Sequence, residues 1–334
     1  MNRVQVMEKL EPLTKTTVKE VDHGPNTRVL FGLPVREEEP EVMLRPGGGG
    51  RSLTVAGPGL TAMARFAGFP AKLPTVLTPD TMGKVATELL GAKKQYNAII
   101  RDGVVVDFVH HAHRPVNTNR LLILMEKVMG ETEFQRVLIM GQHRAVIDAS
   151  GPKEDAVVVG DLVRAGVSVN YDHYGAVEPN VEAFVWRLAC LNGATSPISI
   201  SDFHYGGGNG GGDGSDIYDW FRESMRKAFR AFKGIVDRYH QLASEGLDPH
   251  DRAQLLEALI KNSGIRDEKL IAAIRARAIE DPPTTAWGMY NIMTWANTHL
   301  LEEPRQVLKA RHAYHEFSDE LTHSKLCPTC HRSN

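Results

Sequence analysis

The sequence predicts an α+β protein: a hairpin-containing mixed sheet with packed helices, followed by an all-helical C-terminal region. Three observations carry this expectation. The β-rich runs Gln95–Ile100 and Val104–Val109 flank Arg101-Asp102-Gly103, and Asp-Gly tolerates the positive φ of a tight hairpin turn. Apolar residues at helical spacing stand on both sides of that hairpin. Beyond the glycine run GGGNGGGDG at 206–214, every segment reads as helix.

Taken in order, residues 1–50 read as a flexible N-terminal arm. Glu37, Glu38 and Glu39, several prolines and Gly47 to Gly50 leave almost no apolar period to offset the entropy of ordering. Residues 51–200 read as the α+β core domain. Ser52–Ala56 is a short strand, and Leu60, Met63, Ala64 and Ala67 sit at helical spacing. Thr78-Pro79 opens a helix, with threonine as cap and proline at the first position, that carries Met82, Val85, Ala86 and Leu89 inward. Asn117–Met129 is a helix capped by Asn117, with Leu121, Leu122, Met125 and Val128 facing the core. Phe134–Met140 and His143–Ala149 make a second hairpin around Gly141-Gln142. Residues 157–171 are further strand broken by Gly160 and Gly166, and the apolar run Val181–Leu191 is compatible with strand or helix, with helix the expectation. Residues 201–219 form a glycine-rich linker. Residues 220–320 form the helical region, with helices near 216–242, 249–261, 266–279, 284–301 and 304–318, and 321–334 a Cys/His tail.

Composition bounds the function. The 334 residues are 42% hydrophobic and 24% charged, as in an ordinary globular chain. The net charge of −2 gives no chain-wide attraction to nucleic acid, so that case rests on local patches. Such patches exist: Lys and Arg outnumber Asp and Glu by eleven to seven over 65–145 and twelve to eight over 220–278, around an acidic stretch at 150–219. No apolar run approaches the roughly 20 residues of a spanning helix, and the N-terminus shows no apolar signal region, so a cytoplasmic setting without membrane partners is expected. Three cysteines are too few for a disulfide scaffold, and Cys190, inside an apolar run, reads as a small buried hydrophobe.

Two basic patches are candidates for contact with nucleic acid. After the linker, Phe221, Met225, Ala228, Phe232, Val236 and Tyr239 form an apolar stripe beside a row of Arg222, Arg226, Arg230 and Lys233. Cations stacked at i, i+4 and i+8 repel one another and are more comfortable beside phosphates or an acidic protein surface. The first hairpin supplies Lys93, Lys94, Tyr96 and Arg101, with Arg114 and Arg120 close behind. Cations interleaved with a ring provide phosphate neutralisation and base stacking, the two needs of sequence-tolerant single-strand binding. Two sets have metal-ligand character. Strand alternation puts Asp107, His111 and His113 on one face, a two-histidine, one-carboxylate set, with Asp202 and His204 as further donors. In the tail, His323, Cys327, Cys330 and His331 can close one tetrahedral zinc site, structural because four protein ligands leave no open position, the alternative being an unliganded, reduced tail. The Cys-x-x-Cys-His spacing is also the haem attachment pattern, but that chemistry belongs to exported proteins. No P-loop, nucleophile elbow, His-Glu-x-x-His or dinucleotide fingerprint is present.

Three stretches resemble the phage- and plasmid-related family of domain of unknown function 932. They are the span from Ala64-Arg65-Phe66 to Asn119-Arg120-Leu121, residues 158–194 ending in Arg187-Leu188-Ala189-Cys190-Leu191-Asn192-Gly193, and, more weakly, "TAWGMYNIMTWANTH" at 285–299. The histidine-rich hairpin end and the cysteine tail depart from the family pattern. The resemblance implies a mobile-element origin and an α+β core; the family carries no settled biochemical function. Its hairpin-then-helix core is similar in outline to single-strand annealing proteins, which form rings and hold single-stranded DNA along a basic groove. The expectation is a phage-type single-stranded-DNA-binding or annealing protein, acting in recombination or replication as a homo-oligomer. Lys93, Lys94 and Arg101 would neutralise phosphates, Tyr96 would stack, and Arg222, Arg226 and Arg230 would form a second rail. The alternatives are a metal-dependent enzyme built on the histidine-rich hairpin end and a protein-binding accessory factor of a mobile element.

Overall fold

The computed structural model of the chain describes residues 1–14, 17–23, 25–31, 42–47, 51–55, 57–70, 73, 76–110, 116–141, 143–173, 179–188, 192–195, 215–311, 313 and 314. Val6, Leu10 and Leu13 recur at i, i+4 and i+7, and all three are buried along helix α1 (Arg3–Thr14). The Met1 ammonium donates to the Phe134 carbonyl at 2.7 Å, fastening the chain start to the structure. The arm expected over residues 1–50 is therefore corrected. Its described parts are a core helix and three strands, because a three-residue apolar stripe suffices once a sheet edge is there to receive it.

Those strands, β1 (Thr17–Asp22), β2 (Arg28–Phe31) and β3 (Val42–Arg45), join β4 (Leu53–Val55) and the hairpin β5 (Gln95–Arg101) and β6 (Val104–His110) in a mixed sheet. Its order is β1-β5-β6-β4-β3-β2, antiparallel except for the β4–β6 pair. Asp102 and Gly103 take φ of 51° and 81°, the left-handed pair that a two-residue hairpin turn needs. Helices α2 (Pro58–Ala67) and α3 (Pro79–Gly91) contribute Met63, Met82 and Leu90 to the sheet's apolar core, and Thr78 caps α3 as expected.

The second sheet is a five-stranded antiparallel meander, ordered β11-β10-β9-β8-β7. Its strands are β7 (Glu133–Met140), β8 (Arg144–Val158), β9 (Asp161–Asp172), β10 (Asn180–Arg187) and β11 (Asn192–Thr195). The helix expected over 181–191 is thus a strand through Arg187. Val181, Ala183 and Val185 alternate onto the buried face, and a period of two with β-branched residues is the strand pattern. Gly166 does not break β9. A Cβ there would meet the Ala149 carbonyl oxygen at 2.1 Å, so glycine permits close approach of β8. Gly166→Ala is expected to destabilise the fold by about 1–3 kcal/mol through overpacking, read as a lower urea midpoint at unchanged slope.

On this sheet pack α4 (Thr118–Met129), α5 (Ser215–Arg230), α6 (Phe232–Ser244), α9 (Ala286–His299) and helical residues 304–311, while α7 (Pro249–Ser263) and α8 (Glu268–Glu280) pack on α9. Phe221, Met225, Phe232, Val236 and Tyr239 are buried in the same apolar cluster as Ile147, Val167 and Val169, so the helical region shares its core with the meander. Residues 215–219 belong to α5 rather than to a linker, while 201–214 lie outside the described residues. The single helix expected over 216–242 is two, separated at Ala231. The break lets α5 lie on β9, β10 and α4 while α6 follows β8 and α9 across the twisted sheet. Among the described residues no helix is long and apolar enough to cross a membrane.

Candidate nucleic-acid interface

Helix spacing builds the site. On α4, Arg120, Ile123, Leu124, Lys127 and Val128 fall at i, i+3, i+4, i+7 and i+8, one face of the helix. On α5, Tyr218, Arg222 and Arg226 fall at i, i+4 and i+8. The two faces enclose a groove of about 320 Å³, with an apolar floor and four cations around it. At its end, the Asn117 N–H donates to the Tyr218 hydroxyl at 2.6 Å, and the Asn117 side chain accepts from the Arg120 N–H at 3.0 Å as the α4 cap. The Arg120 guanidinium lies over the Tyr218 ring, 3.9 Å from its centroid. Burial raises the phenol pKa, so Tyr218 stays neutral. Arg222 pairs with Asp219 at 2.6 Å. Neither Arg120 nor Arg226 has a carboxylate partner among the described residues.

Of the residues singled out in the sequence, Arg120, Arg222 and Arg226 come together here. Lys127 was missed, although its place seven residues after Arg120 on an amphipathic helix was a legible signal. Arg230 and Lys233 are exposed on either side of the Ala231 break and do not line the groove. Lys93, Lys94 and Arg101 stand at the ends of β5 in the other sheet, and they do not line it either. The Lys93 ammonium lies 5.8 Å from the Phe66 ring centroid, and Lys94 is a turn residue at φ 59° whose carbonyl accepts from His23 N–H. Arg114 is outside the described residues.

The stacking role expected for Tyr96 is corrected. The side chain is fully buried, its ring 5.7 Å from that of Phe66 and 5.8 Å from that of Phe108, its hydroxyl 3.1 Å from His23 Nδ1. Alternation along β5 turns Tyr96 and Ala98 toward α2 and α3, and the same burial holds the phenol protonated. No base reaches it.

The metal-ligand set at the hairpin end is altered in part. The Asp107 carboxylate accepts from Arg65 at 3.0 Å and pairs with His143 Nε2, while His143 Nδ1 donates to Asp172 at 2.6 Å. With a carboxylate facing each ring nitrogen, His143 is an imidazolium that clasps the mixed sheet to the meander. Burial opposes that charge, but the hydrogen bonds and charges of Asp107 and Asp172 outweigh it and raise the pKa to about 9. His143 was not legible beside Asp107, since no local pattern joins strands of different sheets. His111, His113, Asp202, His204 and the tail set His323, Cys327, Cys330 and His331 lie outside the described residues. Among those described, no group of three or more His, Cys, Asp or Glu is disposed to hold a metal ion.

No family model, curated protein or solved structure matches the chain.

Proposed function

We propose that the chain binds a single-stranded polynucleotide along the α4–α5 groove and acts, as a homo-oligomer, as a phage-type single-strand-binding or annealing protein. The observation that carries this is the convergence of Arg120, Lys127, Arg222 and Arg226, from helices about a hundred residues apart, on one apolar-floored groove. Cations so placed neutralise successive phosphates and release their counterions, which is the main source of sequence-tolerant affinity. Annealing also needs no general acid, base or metal, in keeping with a sequence that has no catalytic motif. The resemblance of residues 158–194 to the domain of unknown function 932 supports a mobile-element setting.

Fluorescence polarisation with a labelled oligonucleotide over a salt series tests this. Four phosphate contacts on a single strand give a slope of log affinity against log salt of about −3. Lys127→Glu with Arg226→Glu is expected to weaken binding at least about tenfold and roughly halve that slope. Absence of binding at about 50 mM salt ends the proposal. Capture of an acidic peptide in place of the oligonucleotide would transfer the groove to a protein-docking role.

A further inference from the structure

We infer that Arg120, held from behind by Tyr218, is a stacking platform for an unpaired nucleobase, so that the groove selects strands whose bases are free. The inference rests on the polynucleotide reading and adds to it what is recognised besides phosphate. A guanidinium is planar and weakly hydrated, and it stacks on aromatic faces and on bases alike. Here one side of it is occupied by the Tyr218 ring at 3.9 Å, and Arg120 is otherwise exposed.

Tyr218 is fixed for this role. It is 5% exposed, its ring is 6.5 Å from that of Phe221, and its hydroxyl accepts from Asn117, the residue whose side chain also caps Arg120. Ring, cap and guanidinium form one unit at the mouth of α4. Ile123 and Leu124 continue the surface as an apolar floor, which a phosphate alone does not require. Arg226 stands eight residues beyond Tyr218 on α5, about 12 Å along the helix. The platform and the far cation therefore meet different points of a bound strand. A duplex offers no base face to such a platform, because its bases are already stacked and paired. Tyr218 is a positioning residue and Arg120 the group that touches the base.

The test compares affinities for a base-bearing strand and an abasic strand of equal length, the readout being their ratio. One stacked base strengthens binding by roughly five- to a hundredfold, so the native chain is expected to prefer the base-bearing strand about tenfold. Arg120→Lys keeps the charge and removes the plane at an exposed position, and the ratio is expected to fall to within about twofold of one. Tyr218→Leu, checked for an unchanged thermal midpoint, gives the same result by freeing the guanidinium. A ratio near one in the native chain, or a tenfold ratio that survives both substitutions, overturns the platform. Those failures leave the abasic strand bound. Failure to bind either strand instead overturns the polynucleotide reading, and the platform with it.

Discussion

Arg311→Ala is expected to lower the unfolding free energy by about 3–5 kcal/mol, the cost of leaving a buried charge without its main partner. Asp148 is fully buried in the middle of β8. Its carboxylate accepts from Arg311 Nη1 at 3.0 Å, pairs with Arg311 Nη2, accepts from Ser168 at 2.7 Å, and meets Arg136 Nε at 3.3 Å. Burial by itself favours the neutral acid, but Arg311 and Arg136 outweigh it and hold the Asp148 pKa below the usual carboxylate range. Arg136 does not take over from Arg311, since only its Nε meets an Asp148 oxygen, at 3.3 Å, while its Nη1 donates to the Asn297 carbonyl. The pair binds the 304–311 helix to the sheet, so a urea titration should show a lower midpoint with little change of slope. Because the folded pKa of Asp148 is depressed, its contribution is present above about pH 4 and is lost as acid carries the carboxyl through its folded value. A measured loss below about 1 kcal/mol would contradict this account, since that is the scale of an exposed pair.

His143→Ala is expected to cost about 3 kcal/mol at pH 6, with the difference from the native chain shrinking as pH rises toward 9. The imidazolium is faced by Asp107 from β6, which also pairs with Arg65 from α2, and by Asp172 and His173 at the end of β9. Its folded pKa lies above the ordinary histidine value of 6.5, at about 9. The folded chain therefore keeps a proton that the unfolded chain releases. Stability from this clasp is complete below about pH 6.5 and is lost as pH climbs through about 9. Denaturant titrations of both chains at pH 6 and pH 9.5 measure it. An equal gap at both values would show that His143 acts by packing alone.

Much of the architecture follows from short-range pattern. Asp102-Gly103 turns the first hairpin, Thr78 and Asn117 cap their helices, and the Phe221–Tyr239 stripe is core. The candidate site was half legible: Arg120, Arg222 and Arg226 were in view, but as members of two separate patches. What joins them is the Asn117–Tyr218 hydrogen bond across 101 residues, a contact that no periodicity encodes. The α1 stripe was equally visible in Val6, Leu10 and Leu13, yet a three-position stripe on a charged, proline-containing segment acquires meaning only when β7 and α4 receive it.

The sequence by itself determined the local elements, since capping, turn geometry and amphipathic spacing act within a few residues. Only the tertiary structure decided which side of β5 is inside, and so that Tyr96 is core while Tyr218 carries Arg120. It also decided that residues 180–187 pair with β9 as a strand, and that α4 and α5 lie side by side. Burial and sheet order arise from contacts between distant segments, and their energies outweigh the few tenths of a kcal/mol by which local propensities differ.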